Sequence, residues 1–164
     1  MDAGSENGAR LQLLLDLLEK KTTELAQILG ICENQEALLQ IYSQGEYSEM
    51  IVEMGREKQG LVDDILAGDS LFQKTFEEFA GFEDAAAQHP GMLNQLQKAV
   101  MNVTELDTRI RLCEQRNNAL LKAQRQQTQL SEKNISQAGK EQLIDKYKQM
   151  GKKNLGYKAN IPLE

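Results

Sequence analysis

"LQLLLDLLEKKTTELAQILGICENQEALLQIY" (residues 11–42) decides the fold. Leu11, Leu18, Leu25, Cys32 and Leu39 recur every seven residues, and Leu14, Ile28 and Tyr42 occupy the companion positions. Lys21 and Gln35 interrupt that second line, while Leu15, Leu29 and Leu38 widen the stripe. A repeat of this period places one apolar face along an α-helix, and that face must be covered by other helices. The spacing predicts a first helix over about 9–43, with Gly30 as a soft spot inside it.

The same period continues on both sides of the polar "SQGEY" turn at 43–47 and the later break at 88–93. A second helix is expected over 46–67, with Met50, Met54, Leu61 and Ile65 on its apolar stripe and Ile51, Val62 and Leu66 beside them. Gly55 and Gly60 interrupt it around "REKQ", at roughly 1 kcal/mol each relative to alanine. They read as places where another backbone approaches closely or where the helix is softened. The Lys58-Gln59 pair between them reads as a solvated face. "AGDSLFQ" (67–73) reads as a helix end, because Gly68 sits after the last apolar position and Ser70 with Gln73 has the form of a capping box. A short third segment, 71–88, holds all four phenylalanines: Phe72, Phe76, Phe79 and Phe82. "QHPGML" (88–93) is the strongest break, since a residue before proline avoids the helical region. From about 91, Leu96, Val103, Ile110 and Asn117 repeat by seven beside Ala99, Leu106, Cys113 and Leu120. That seam ends at Leu121.

Composition agrees with an all-α chain. Leu, Gln, Glu, Lys and Ala dominate, Trp is absent, and aromatics make up only 5% of 164 residues, too few for a β-rich core of this size. We expect an elongated antiparallel helical bundle or coiled coil of about three long helices plus a short one, with a mobile C-terminal tail. Residues 1–121 form the bundle body, with 10 Lys+Arg against 21 Asp+Glu, net −11; residues 122–164 carry 9 against 4, net +5. This basic polar segment, helical or disordered, is expected to protrude and to serve as a separate partner-binding unit. An overall charge of −6 argues against nucleic-acid binding. The acidic, polar start "MDAGSENGAR" is unlike a secretory signal, and "LQLLLDLL" is too short to span a bilayer. A cytoplasmic protein without membrane insertion is therefore expected.

Catalytic chemistry has no residues to carry it. The one histidine, His89, lies in an "HPG" turn and reads as a solvent-exposed loop residue, whereas a phosphotransfer histidine needs an exposed helix face. No histidine–carboxylate spacing for a metal and no Gly-rich phosphate loop is present. Cys32 and Cys113 each fall in an apolar seam and read as small core residues that stay reduced. We expect no enzyme activity, no cofactor and no metal. The remaining surface is for binding. Met50, Met54, Met92, Met101 and Met150 and the four phenylalanines read first as core. In the basic tail, the isolated apolar residues Leu155, Tyr157, Ile161 and Leu163 are candidates for folding onto a partner.

"CENQEALLQIYSQGEYSEMIVEMGREKQGLVDDI" (32–65) resembles the central hairpin of the FlgN-type flagellar export chaperones. Such proteins are small, acidic and helical. A Leu-rich end of the first helix, here "EALLQ", is followed by a short linker and a second helix with a K-Q-x-L element, here Lys58, Gln59 and Leu61. In layout the resemblance runs over 9–121. The broken second helix and the "KNLGYKANIPLE" ending depart from the family. The resemblance implies a cytoplasmic chaperone that binds the C-terminal region of hook-filament junction subunits, prevents early assembly and delivers them to the flagellar export apparatus. It also implies that the C-terminal segment takes part, which places Leu143, Ile144, Tyr147, Met150 and Tyr157 at the partner. The alternative is a structural or adaptor coiled coil that mediates protein–protein assembly. Oligomeric state, client and stoichiometry stay open at the level of sequence.

Overall fold

A computed structural model describes residues 3–41, 48–130 and 144–148. It is all-α. The long helices are α1 (Ala3–Ile41), α2 (Ser48–Glu77) and α4 (Pro90–Leu130), and a short α3 (Phe82–Gln88) turns the corner between α2 and α4. At 1.5 Å per residue, α1 is about 58 Å long, so the bundle is elongated as expected.

Cross-helix contacts fix the directions. Lys21 meets Asp69 and Gln35 meets Ile51, so α1 and α2 run antiparallel. Asn117 meets Cys32 and Gln124 meets Leu39, so α1 and α4 run parallel. The chain goes up, down and up again, and the two up-going helices share the main seam. The heptad leucines form its core: Leu11, Leu14, Leu25, Ile28 and Cys32 on α1 pack with Ile110 and Cys113 on α4 and with Ile65 on α2.

Several expected boundaries move. α2 does not end at Gly68. It continues nine residues further, to Glu77, and the capping box does not form. The Ser70 hydroxyl donates instead to the carbonyl of Leu66 at 3.1 Å, and Gln73 Nε2 donates to Glu77 Oε1 at 3.1 Å. Phe72, packed against the core one turn beyond Gly68, supplies the apolar stripe that carries the helix through. The true break is Gly81, whose φ of 78° lies in the left-handed region. Phe79 is buried beside it and meets Phe82 edge-on at 5.5 Å, with the Arg10 guanidinium 5.9 Å above the Phe79 ring.

The break at 88–93 contracts to one residue. His89 is non-helical, Pro90 opens α4, and the amide of Leu93 donates to the His89 carbonyl at 3.1 Å. Proline at the first helical position costs nothing, since that amide has no intrahelical acceptor. His89 is half-buried, not exposed, and its imidazole lies over Gly8, where a notional Cβ would be 3.6 Å from the ring. Gly60 has open space around it, so no backbone approaches there. α4 crosses position 121 without interruption. The mobile C-terminal end expected at 151–164 lies outside the described residues.

Gly68 sits in a helix interior with nothing within 4 Å of a notional Cβ, whereas Gly81 has positive φ. Gly68→Ala should therefore stabilise the protein by about 1 kcal/mol, and Gly81→Ala should destabilise it by about 1–2 kcal/mol. Urea unfolding of the two variants checks both signs.

Candidate functional site

The heptad pattern places Cys32 and Cys113 in the α1–α4 seam, and the structure brings them into one layer. Neither thiol is exposed. Around them stands a polar cluster inside the apolar core. Lys58 Nζ is 2.8 Å from Glu114 Oε1, and both side chains are only 2% exposed. The Cys32 thiol donates to the same carboxylate oxygen at 3.1 Å. Asn117 Nδ2 donates to the Cys32 carbonyl at 3.1 Å and lies 3.4 Å from its sulfur. On the solvent side of the layer, Cys113 Sγ is 3.5 Å from Glu36 Oε2, which also accepts from Arg116 Nε at 2.7 Å.

Lys58 is thus a buried ion-pair partner and not a solvated residue. Gln59 alone keeps the surface role, donating to Asp63 Oδ1 at 3.0 Å. Glu114 Oε1 on α4 joins all three long helices, since it meets Cys32 of α1 and Lys58 of α2. Two charges removed from water would cost several kcal/mol each if unpaired, so the pair depends on its geometry.

Further polar groups line the same axis. Lys21, which interrupts the α1 heptad, is buried and donates to Asp69 at 2.8 Å. Gln35, the second interruption, donates to the Ile51 carbonyl at 3.2 Å. Asp107 is fully buried, and its Oδ2 lies 2.8 Å from Arg111 Nε. Beside the Lys21–Asp69 pair, a groove of about 300 Å³ opens between α1, α2 and α4, lined by Leu17, Leu18, Phe72, Phe76, Val100 and Val103. Phe76 is 47% exposed at its rim.

The second apolar cluster lies at the far end of the bundle. Tyr147 packs there against Leu39 and Ile51, with Leu38, Leu120 and Leu121 around it. Burial pushes the Tyr147 phenol above its usual range. Ile144 is half-buried on the same short helical stretch. Of the five expected partner residues, the structure places Tyr147 against Leu39 and Ile51 and leaves Ile144 half-buried. Leu143, Met150 and Tyr157 lie outside the described residues. Gln124, expected on a helix with no hold on the bundle, donates to the Leu39 carbonyl at 2.8 Å. Met50 and Met101, read as core, are 48% and 71% exposed.

Sequence reasoning missed Asp107 and Glu114, each one position past a heptad residue, Leu106 and Cys113. The visible signal was a pair of acids spaced by seven alongside the seam. Among the described residues, no group of three or more His, Cys, Asp or Glu could hold a metal ion, and no helix is long and apolar enough to cross a membrane. No protein-family model matches the chain, and no curated protein or solved structure does either.

Asp69 supplies a pH test. Burial raises its carboxyl above the ordinary 3.8, against the opposing pull of Lys21, and its Oδ2 is buried with no hydrogen-bond partner. A raised native value means the folded state holds the proton longer than the unfolded state. Stability from this group therefore falls as pH rises from 3.8 through the native value. Asp69→Asn should remove that fall, so the variant's stability curve above pH 3.8 should be flatter than the wild type's in urea titrations across pH.

Proposed function

We propose that this chain is a helical binding protein of the export-chaperone type, cytoplasmic, whose client is the C-terminal region of a hook-filament junction subunit. The observation that carries the reading is the seat of Tyr147. Leu39 and Ile51, on which it packs, both belong to the 32–65 stretch that resembles the FlgN-type hairpin. The basic tail is thereby tied to that hairpin through Tyr147. An amphipathic client segment would find apolar and charged surface together at this end. Delivery to the export apparatus belongs to the same proposal.

A second reading, an adaptor that assembles laterally, is favoured by Met101 and Leu112. They are 71% and 50% exposed, and eleven residues apart they share one outer face of α4. Sedimentation separates the two. A dimer that dissociates in Met101→Glu supports the adaptor, and a monomer over the micromolar range supports the chaperone.

Calorimetric titration with C-terminal peptides of junction subunits tests the chaperone directly. Binding should be saturable, and Tyr147→Ala should weaken it about tenfold, or about 1.4 kcal/mol. A full chain that binds none of these peptides would refute the reading.

A further inference from the structure

The chain's two cysteines lie 81 positions apart, yet they meet between two parallel helices with neither thiol exposed. Asn117, one turn beyond Cys113, lies 3.4 Å from the Cys32 sulfur, and Glu36, one turn beyond Cys32, lies 3.5 Å from the Cys113 sulfur, so the two thiols face one another across the seam. Each also has a carboxylate at hand: Glu114 Oε1 at 3.1 Å from the Cys32 sulfur and Glu36 Oε2 at 3.5 Å from the Cys113 sulfur. A pair that served only to fill the seam would need neither carboxylate. We propose that Cys32 and Cys113 form a thiol-oxidation site, at which hydrogen peroxide converts the pair into a disulfide that staples α1 to α4.

The surroundings set the order of events. Cys113 stands toward the rim, beside Glu36 and Arg116, whose side chains are 19% and 55% exposed. A peroxide molecule, little larger than water, reaches this side first. The neighbouring Cys32 thiol holds the Cys113 thiol below its usual range, against burial and Glu36. Cys113, burial and the Glu114 charge push the Cys32 thiol up. Cys113 is therefore the attacking sulfur and Cys32 the resolving one, because the thiolate is the nucleophile.

The Cys113 thiol loses its proton toward Glu36, and its sulfur attacks one peroxide oxygen. The O–O bond breaks, the departing hydroxide takes up that proton as water, and Cys113 becomes a sulfenic acid. The Cys32 sulfur then attacks the Cys113 sulfur. The S–O bond breaks as the S–S bond forms, and the hydroxyl leaves as a second water with the proton Cys32 gives up toward Glu114. Two thiols and one peroxide yield one disulfide and two waters, with the sulfurs oxidised and the peroxide reduced. Glu114 keeps Lys58 at 2.8 Å as its partner, so the crosslink leaves its charge compensated. The reaction is independent of which client the bundle holds.

The test treats the full chain with hydrogen peroxide at neutral pH and reads intact mass, free thiols and peptide linkage without reductant. The expected product has lost two hydrogen atoms and both free thiols, and it yields one linked peptide pair containing Cys32 and Cys113. Dithiothreitol should restore the starting mass, and the oxidised chain should melt higher than the reduced one. In Cys32→Ala, Cys113 should stop at a sulfenic acid that dimedone captures. If that variant does not fold, the wild-type product decides alone. Thiols that survive while Met101 oxidises, sulfinic acid without a linked peptide, linkage only between chains, or a lower melting point would each overturn the proposal.

Discussion

Lys58 and Glu114 bring opposite charges together at 2.8 Å where water does not reach, and the arrangement of the three long helices depends on that contact. An apolar seam of leucines tolerates sliding and rotation, since one Leu–Leu contact resembles another. A buried cation has no such freedom. Any register that moves Lys58 away from Glu114 leaves an uncompensated charge in the core, at a cost of about 3–5 kcal/mol. Cys32 and Asn117 tighten the constraint, because the Cys32 thiol and carbonyl of α1 are both held by α4, through Glu114 and Asn117. The contact also spans α2 and α4, which are joined in sequence only through the small α3 corner. The leucines drive association, and the polar cluster selects one arrangement from those the leucines allow.

The two interruptions of the α1 heptad follow the same logic. Lys21 and Gln35 sit where leucines would pack, and each meets a partner on α2. Together with Lys58 they form three polar checkpoints along the bundle. Their spacing makes an antiparallel α2 shifted by one heptad unfavourable at every level at once. The cost is visible at Asp69, where burial outweighs the lysine beside it and raises the carboxyl.

Much of the fold was legible because helix periodicity is written in residue type. The leucine repeat of 11–39, the paired lines of α4 and the polar break in the sequence after Tyr42 pointed to the helix order and the core face. What misled was local punctuation. Gly68 and Ser70 carry the signs of a helix end, but the signs are worth about 1 kcal/mol each, and packing of Phe72 outweighs them. Gly81, which does end the helical run, has no more local signal than Gly68. The candidate site was legible only in part. Both cysteines fell in predicted seams, yet their meeting depends on α1 and α4 running parallel, a consequence of chain topology. Lys58 looked solvated because its neighbours Arg56, Glu57 and Gln59 are polar; only its partner on a distant helix explains its burial. Tyr147 was picked out through the family resemblance, and its docking on Leu39 and Ile51 depends on tertiary placement that no local pattern encodes.

A double-mutant cycle on Lys58→Met and Glu114→Leu, followed by urea unfolding at neutral pH, tests the central constraint most directly. Each single variant strands one buried charge and should lose about 3–5 kcal/mol, while the double variant should recover most of that loss. Single variants that each cost less than about 1 kcal/mol, with additive effects in the double, would contradict the claim that this ion pair sets the register of the bundle.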